Sequence, residues 1–502
     1  MFTMQFEFST NSLNKISSEA AIVFAYTSKE KGKFIPLLSF KKIDKENNGE
    51  LTRIAKLENF TGKKNEVITV IPQANTMTSR IIIIGLGEKE QFAFNDLREI
   101  IGSFVKHMRK RINSASLVLP TKEDIDIDSN DVLHAIVEGF ELGNYVFIKY
   151  KKEEKVDRNL STIIIGEQKE NIQLKRIVKR AQSFAKATNL ARDLVNEQSA
   201  IATPTYLATL AQEIAKSSSQ ISCKVFDKKE AEKMGMNAFL GVARAADTLP
   251  KFIHLEYTPK KKSKEKIAIV GKGITFDSGG INIKPGEHMN DMKMDMAGAA
   301  VVLGVFSVIN EIQPDVAVIG LIAATANMVS GASLVPGDVV RALNGKTIEI
   351  INTDAEGRVT LADSLSYAVK EEATKIFDLG TLTGAAEVAL GVDIGALFSN
   401  NPEFAKQIEH AASEEGEKVW ELPLEPAYKK LNKSNIADIS NLASSRYGGA
   451  ITAALFLEEF VDKKPWVHID IAGPAFASKG NNLGPEGGTG FGVRTVLKLL
   501  SL

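Results

Sequence analysis

The sequence has one cysteine and no excess of either charge. With Cys223 alone, no disulfide can form within the chain, and this fits a reducing compartment. Lysine plus arginine and aspartate plus glutamate each number 62, so the chain as a whole offers no net positive charge to nucleic acid or to an anionic membrane. The basic run at residues 260–266 is short, and we expect it to be a solvated loop. The composition therefore predicts no nucleic-acid partner.

Long apolar runs are also missing. Residues 1–10 lack the basic stretch and the apolar core of a signal peptide. The apolar run at residues 81–84 is far too short to cross a bilayer. We therefore expect a cytoplasmic protein with no membrane partner.

The length of 502 residues exceeds what one hydrophobic core usually supports, so two domains are expected. Apolar runs at residues 68–71, 81–86 and 162–165 alternate with helical patterns and predict an N-terminal α/β domain over residues 1–170. Gly85-Leu86-Gly87 lacks the third glycine of a dinucleotide-binding loop, and we interpret it as a turn that ends a strand. Residues 171–196 have apolar positions near helical spacing and predict a linking helix.

Residues 197–502 form the predicted second domain. Strands are expected at residues 267–270, 316–324, 348–351, 376–379 and 467–471, and a helix is expected around the apolar set Ala299, Val302, Leu303 and Phe306. The fold class is therefore α/β in both domains, and the C-terminal one should have a mostly parallel central sheet flanked by helices. In such sheets, functional side chains lie in the loops at the carboxyl ends of strands.

Four acidic residues occupy three glycine-rich segments of this second domain. The segments are residues 270–280, 283–300 and 352–358, and the acids are Asp277, Asp295, Asp354 and Glu356. Asp354 and Glu356 alone could be a solvated turn, but several acids that share one crevice repel each other unless a cation compensates them. Oxygen ligands suit magnesium, manganese or zinc, and four carboxylates are more than one ion needs. A site for two divalent ions is the economical interpretation.

Cationic side chains accompany these acids. Lys272 lies between two glycines after an apolar strand, so we expect it to be buried, where a neutral amine can bind a metal if its pKa is strongly lowered. Lys284 and Arg358 are better suited to stay charged and to hold anionic oxygen. Gly357 is expected to allow a tight turn before a helix that starts near Val359.

These segments together resemble those of the cytosolic leucyl aminopeptidase family, the M17 peptidases. Asn-Thr-Asp-Ala-Glu-Gly-Arg at residues 352–358 is the most specific of them, and its spacing from residues 270–280 and 292–300 also agrees. The resemblance continues through residues 378–385, 448–453 and 468–473, so it covers roughly residues 190–502.

The resemblance implies a leucyl aminopeptidase that uses two Mn²⁺ or Zn²⁺ ions per chain. It implies that Lys272, Asp277, Asp295 and Glu356 bind one ion, and that Asp277, Asp354 and Glu356 bind the other. It further implies that Lys284 binds the oxyanion and that Arg358 positions a bicarbonate ion. The substrate contacts that it implies are Met292, Asn352, Thr381, Leu382 and Gly384.

The family likeness also implies biological context. The expected substrates are peptides with a free N-terminus whose first residue is leucine or another apolar residue, and the expected role is intracellular peptide turnover. The family forms hexamers, so a homohexamer is expected.

Two other classes of function remain as alternatives. A two-metal phosphohydrolase would use a similar carboxylate cluster to hold phosphoryl oxygens, although the sequence has no phosphate-binding loop of the P-loop kind. A non-enzymatic scaffold would have no need for Lys284 and Arg358 beside the acids. Hydrolysis of an aminoacyl anilide compared with hydrolysis of a phosphomonoester separates the three classes.

Overall fold

A computed structural model describes residues 4–30, 32–72, 76–152 and 159–501. The chain divides into two compact units. Unit 1 comprises Met1–Ala185 and Gly480–Pro485, and unit 2 comprises Lys186–Lys479 and Glu486–Leu502. Each unit is an α/β structure built on its own large sheet, which confirms the predicted fold class.

Unit 1 contains a seven-stranded sheet whose order is β1-β7-β6-β2-β5-β4, with β3 paired to β2. Its strands are β1 (Gln5–Phe8), β2 (Ala20–Thr27), β3 (Phe34–Pro36), β4 (Val67–Val70), β5 (Ile81–Glu88), β6 (Ser114–Val118) and β7 (Thr162–Gly166). The pairings are parallel except for those of β3 and β4. The run Ile81 to Ile84 is fully buried because both faces of this sheet are covered.

Helices cover both faces of the unit 1 sheet. They are α1 (Leu38–Glu46), α2 (Glu50–Leu57), α3 (Phe94–Met108), α4 (Ser129–Gly143) and the first part of α5 (Ile172–Asn196). One apolar cluster joins α3 and α4 to Ile82 and Ile84, and a second joins α1 and α2 to Ile81 and Ile83. Alternate residues of β5 therefore pack into two separate hydrophobic cores, one on each face of the sheet.

Unit 2 contains an eight-stranded sheet in the order β16-β15-β18-β14-β10-β11-β9-β8. Its strands are β8 (Ile221–Phe226), β9 (Lys251–Tyr257), β10 (Lys266–Asp277), β11 (Ala317–Asn327), β14 (Lys375–Gly380), β15 (Gly395–Ser399), β16 (Val419–Glu421) and β18 (Trp466–Asp470). The four central strands β18, β14, β10 and β11 are parallel, whereas β8, β9 and β15 pair antiparallel with their inner neighbours. The sheet is therefore mixed, with a parallel centre.

Shorter strands, the second part of α5 and ten further α-helices belong to the described part of unit 2. The short strands are β12 (Val339–Arg341), β13 (Thr347–Glu349), β17 (Ile439–Ser440), β19 (Phe476–Ala477) and β20 (Gly487–Gly488). The helices are α6 (Pro204–Lys216), α7 (Lys228–Met234), α8 (Asn237–Ala243), α9 (Gly286–Met289), α10 (Ala297–Ile312), α11 (Glu356–Lys370), α12 (Gly384–Leu390), α13 (Pro402–Glu415), α14 (Gly449–Glu458) and α15 (Val493–Leu499). Helices α8, α11 and α14 share a core with one face of the large sheet, and α6, α10, α13 and α15 lie on the other.

Helix α10 lies unusually close to the sheet. A Cβ on Gly271 would be 2.3 Å from the carbonyl oxygen of Gly298, and a Cβ on Gly298 would be 2.2 Å from that of Leu379. The segment Gly286–Ile312 has the length and hydropathy of a membrane-crossing helix, but 78% of its apolar window is buried inside the protein. Its apolar character is explained by its place in the core, and this includes the predicted set around Ala299.

Candidate active site

The four acids singled out in the sequence meet at one end of the parallel strands of unit 2. Asp277 is the last residue of β10, Asp295 precedes α10, and Asp354 and Glu356 follow β13. Carboxylate oxygens of Asp277, Asp354 and Glu356 all lie within 4.8 Å of one another. Asp295 joins them through Lys272, whose Nζ lies 2.7 Å from Oδ1 of Asp295 and 2.9 Å from Oε1 of Glu356. Convergence of the acids is thus observed.

Two lysines neutralise part of this negative charge. Lys272 is 3% exposed, as its position between glycines in β10 predicted. Nζ of Lys284 lies 2.9 Å from Oδ2 of Asp277 and 2.5 Å from Oδ1 of Asp354. Four carboxyl groups therefore face two ammonium groups, so the lysines can balance only two of the acids when all four are ionised.

Burial dominates the protonation of the acids. Burial and then the charge of Asp277 raise the pKa of Glu356 to about 7. Burial also raises the pKa of Asp295 and, to a smaller extent, that of Asp354, although the neighbouring lysines oppose the change. Buried acids with raised pKa values in a crevice are typical of functional sites, because a structural role does not require crowding like charges.

Lys272 is an ammonium group in the protein alone. Burial lowers its pKa, but the charges of Asp295 and Glu356 outweigh burial and raise it overall. A lysine that binds a metal as a neutral amine needs the opposite shift, which divalent ions among the same acids would supply by repulsion. Its role as a metal ligand therefore stays a prediction.

Gly357 does not form the expected tight turn. Helix α11 begins at Glu356, so Glu356 is in the first helical turn and Gly357 is its second residue. A Cβ on Gly357 would lie 2.4 Å from Cε and 2.7 Å from Nζ of Lys272. The missing side chain makes room for Lys272, which explains why glycine is found beside Glu356.

Arg358 carries a buried guanidinium group with an unused donor. Arg358 is 6% exposed, and its Nε has no hydrogen-bond partner among the described residues. Burial lowers its pKa to about 10, against the opposing charges of Glu356 and Asp470. The group remains cationic at neutral pH and is suited to an anion.

The residues expected to contact substrate lie at different distances from the acids. Thr381 touches the centre directly: its hydroxyl donates to Oδ1 of Asp295 at 2.8 Å, and its carbonyl accepts from Nζ of Lys272 at 2.8 Å. Oδ1 of Asn352 accepts from the N–H of Asp354 at 2.7 Å. The carbonyl of Met292 accepts from the N–H of Asp295 at 3.3 Å.

Leu382 and Gly384 lie further along the same segment. Leu382 packs in part against the core of unit 2, and its N–H donates to Oδ1 of Asp470 at 3.0 Å. Gly384 is the exposed first residue of α12, where a Cβ would meet no atom within 4 Å. Their contact with substrate stays a prediction.

Three buried polar residues that the sequence did not single out hold the site in place. Nδ2 of Asn327 donates to Oδ1 of Asp277 at 2.8 Å and to the carbonyl of Thr353 at 3.0 Å. Oδ1 of Asn441 accepts from the N–H of Ile351 at 2.8 Å. Asp470 fixes the segment after β14. Only Asp470 had a signal in the sequence, since it lies within residues 468–473.

The donor set fits divalent cations. Oδ2 of Asp295 and Oε2 of Glu356 are buried and have no hydrogen-bond partner among the described residues. A buried carboxylate oxygen without a donor is costly, and a cation at that position relieves the cost. All the donors are oxygens except Nζ of Lys272, which is compatible with magnesium, manganese or zinc.

The fold and the site together define the class: an α/β protein whose second unit has a buried cluster of carboxylates and lysines at the end of its parallel strands. The chain belongs to the cytosol aminopeptidase family: the model of the family's catalytic domain matches residues 189–497, and that of its N-terminal domain matches residues 22–154. The protein is therefore a metal-dependent aminopeptidase.

Relatives and solved structures agree with this membership. A protein of Aquifex aeolicus named probable cytosol aminopeptidase is 45% identical over 97% of this chain and 96% of its own length. One from Sulfurihydrogenibium, with the same name, is 39% identical over 98% and 97%.

Among solved structures, a variant of tomato leucine aminopeptidase has a TM-score of 0.89 and 34% identity, covering 99% of this chain and 96% of its own. The bottromycin maturation enzyme BotP in complex with Mn has a TM-score of 0.84 and 30% identity, covering 96% and 99%.

Proposed function

We propose that this protein removes the N-terminal residue, preferably leucine or another apolar residue, from peptides with a free α-amine, and that two divalent ions per chain support the reaction. The observation that carries the proposal is the excess of carboxylates over ammonium groups in the buried cluster. Such an excess is relieved in the protein alone by protonation, as the raised pKa values of Asp295 and Glu356 indicate, and bound cations relieve it while the acids stay ionised. Mn²⁺ and Zn²⁺ are the ions that we propose.

The family resemblance assigns the ligands. Lys272, Asp277, Asp295 and Glu356 would hold one ion, and Asp277, Asp354 and Glu356 would hold the other. Asp277 and Glu356 would serve both ions, and each has an oxygen within 4.8 Å of an oxygen of the other and of Asp354. Lys272 would bind through a neutral amine, and the closeness of its Nζ to the carboxylates of Asp295 and Glu356 supports this assignment.

Divalent ions at such a site supply Lewis acidity, which activates water near neutral pH and polarises a peptide carbonyl. Lys284 is the group of this chain that would stabilise the oxyanion of the tetrahedral intermediate. It is 15% exposed, and its neighbours Asp277 and Asp354 keep it charged, because they raise its pKa against the effect of burial. A charged donor that is held between two acids is oriented before the substrate arrives.

Arg358 would hold a bicarbonate ion, whose chemistry is to carry a proton. The unused Nε donor and the buried positive charge of Arg358 fit a small planar anion. In this assignment the arginine positions the base and does not exchange a proton itself, since its pKa of about 10 keeps it charged near neutrality.

Apolar and polar groups beside the acids would bind the substrate's first residue. Met292 and Leu382 supply apolar side chains, whereas Asn352 and Thr381 supply polar ones that already contact the acids or their backbone. Gly384 leaves open space at the start of α12. This combination favours an apolar first residue over a charged one.

We also propose that the protein acts in the cytoplasm in peptide turnover and assembles as a homohexamer. Both proposals rest on the family resemblance, and the names of the relatives support the first. Light scattering tests the second: a hexamer has six times the chain mass of 54.6 kDa.

The activity is tested with leucyl-p-nitroanilide and a phosphomonoester, each with added Mn²⁺ or Zn²⁺ and then with a chelator. We expect anilide hydrolysis that the chelator abolishes and no phosphatase activity. Hydrolysis of the phosphomonoester alone would support the phosphohydrolase alternative, and neither activity would support the scaffold. Glutamyl-p-nitroanilide, compared with leucyl-p-nitroanilide, tests the apolar preference.

A further inference from the structure

Asp470 holds the segment that follows β14 at two points, Leu382 and Thr383, and also accepts a bond from its own segment at Ala472. It is the last residue of β18 and lies opposite Gly380 of β14 in the parallel register. Its Oδ1 accepts from the N–H of Leu382 at 3.0 Å and from that of Ala472 at 3.2 Å, and its Oδ2 accepts from the hydroxyl of Thr383 at 2.6 Å. The residue is 1% exposed, so water does not compete for these bonds.

One peptide group joins Asp470 to the acid cluster. The N–H of Leu382 and the carbonyl of Thr381 belong to the same planar unit, and in a trans peptide they point in opposite directions. The N–H donates to the Asp470 carboxylate, and the carbonyl accepts from the Lys272 ammonium at 2.8 Å. Because both partners are charged, each bond is stronger than a neutral one and fixes the plane of the peptide.

The same segment also reaches Asp295. The Thr381 hydroxyl donates to Oδ1 of Asp295 at 2.8 Å, on the same oxygen that contacts Lys272. On the far side, the Thr383 hydroxyl accepts from the N–H of Ala386 at 3.0 Å and so caps α12. The bonds that Asp470 makes to Leu382 and Thr383 therefore help to keep the Thr381 hydroxyl at Asp295.

We propose that Asp470 is a positioning residue that orients Lys272 and Asp295 through the Thr381–Leu382 peptide. The inference rests on the proposed function, in which Lys272 and Asp295 are ligands of one ion and not of the other. Asp354 has no contact in this chain of bonds among the described residues. Loss of Asp470 should therefore lower the affinity for the ion that Lys272 and Asp295 bind and leave the affinity for the other ion unchanged.

A purely structural carboxylate in the same unit offers a matched control. Asp363 is also fully buried and accepts two backbone bonds, from the N–H of Phe239 at 2.8 Å and from that of Leu343 at 2.7 Å. Its partners lie in α8 and in the turn after β12, away from the segment that contacts Lys272. Asp363→Asn changes a buried carboxyl group of the same type and does not alter any of the bonds that link Asp470 to Lys272 and Asp295.

The test is a calorimetric titration of the metal-free full chain with Mn²⁺, together with the Mn²⁺ content after dialysis. We expect two ions for the wild type and for Asp363→Asn. In Asp470→Asn one ion should bind about tenfold to a hundredfold more weakly, as is typical when a group that orients a ligand is lost, and the other should keep its affinity. Thr383→Val keeps the Asp470 charge, and we expect it to lower the affinity for the same ion by a smaller factor.

Wild-type affinity for both ions in Asp470→Asn and Thr383→Val would overturn the inference. An equal loss of affinity for both ions in Asp470→Asn would also overturn it, and so would the same loss of affinity in Asp363→Asn, because each result indicates general destabilisation. If Asp470→Asn does not fold, Thr383→Val decides by the same criterion. A wild type that binds no Mn²⁺ and does not hydrolyse leucyl-p-nitroanilide would overturn the proposed function itself, an outcome distinct from those of the variants.

Discussion

Nζ of Lys272 lies 2.9 Å from Oε1 of Glu356, and both side chains are less than 5% exposed. The contact links the middle of β10 to the first turn of α11. The dipole at that end of a helix favours the charged form of Glu356 and opposes the burial that raises its pKa. Lys272 thus contacts both Asp295 and Glu356, and the charge state of its amine affects whether the cluster can bind a cation.

Replacement of Lys272 with arginine should weaken metal binding. Guanidinium cannot become a neutral ligand, and its planar group is larger than an ammonium. We expect at least about a tenfold loss of Mn²⁺ affinity, the lower limit for loss of a group that supports a metal. Calorimetric titration of the metal-free protein measures the effect.

Lys266→Arg is the matched control for this substitution. Lys266 is the first residue of β10, at the end away from Asp277, and its Nζ donates to the carbonyl of Glu371 at 2.9 Å. Metal affinity should be the same in this variant as in the wild type. Unchanged affinity in Lys272→Arg as well would argue against the ligand role of Lys272.

Gly357→Ala should impair the site without unfolding the protein. The added methyl group would overlap the flexible end of Lys272, which can move aside at little cost to the fold but not without leaving Glu356. Misplacement by about 1 Å commonly costs on the order of a hundredfold in rate, so we expect a loss of that order in kcat for leucyl-p-nitroanilide with a Tm near that of the wild type.

Gly331→Ala provides the control, because a Cβ on Gly331 meets no atom within 4 Å. It should leave kcat and Tm unchanged. Full activity in Gly357→Ala would show that Lys272 need not occupy its observed position.

Arg358→Ala should slow turnover far less than Asp354→Ala. Loss of a group that carries a proton costs on the order of a hundredfold to ten-thousandfold, whereas loss of Asp354 removes a proposed ligand of one ion. Added bicarbonate should raise kcat for the wild type and not for Arg358→Ala. Equal losses in the two variants, or no response to bicarbonate in the wild type, would argue against the carrier role.

His468 should make stability depend on pH. Its Nδ1 lies 2.6 Å from Oδ1 of Asp378. Burial lowers its pKa, but the charges of Asp378 and Asp470 outweigh burial and the opposing charge of Arg358, so the pKa is raised above 6.5. A raised folded-state pKa gives a stabilisation that is complete below about 6.5 and is lost as the pH rises through the folded value.

The free energy of unfolding of the wild type minus that of His468→Gln should therefore be larger at pH 6 than at pH 9, as measured by urea denaturation. His254 is a control of opposite sign, because burial lowers its pKa. Its contribution is present above about 6.5 and is lost as the pH falls, so the corresponding difference for His254→Gln should be smaller at pH 6. A His468 difference that does not vary with pH would contradict the ion pair with Asp378.

Apolar runs in the sequence predicted eight of the strands, although β2, β8, β9 and β15 were not among them, and the acidic segments predicted that the four acids share one site. Strand β5 begins with four consecutive isoleucines, which mark it as a buried strand. Asp277 ends β10 of the parallel centre, as expected for a functional residue, whereas Asp354 and Glu356 follow β13 of a separate small sheet, so their meeting with Asp277 depends on how the two sheets pack within unit 2. The antiparallel pairing of β8, β9 and β15 could not be predicted in the same way, because pairing direction is set by long-range contacts and not by local pattern.

The supporting polar residues were harder to predict. Asn327 and Asn441 are single amides whose type indicates neither burial nor partners. Gly357 was assigned to a turn because glycine has several local uses, and only the position of Lys272, 85 residues away along the chain, reveals that space is what it provides.

The most direct test of the central claim is the number of Mn²⁺ or Zn²⁺ ions bound per folded chain, measured together with leucyl-p-nitroanilide hydrolysis as the ions are removed and restored. The shared-carboxylate arrangement predicts two ions per chain and an activity that disappears on chelation and returns with the ions. Full activity in protein that holds fewer than one ion per chain would contradict it.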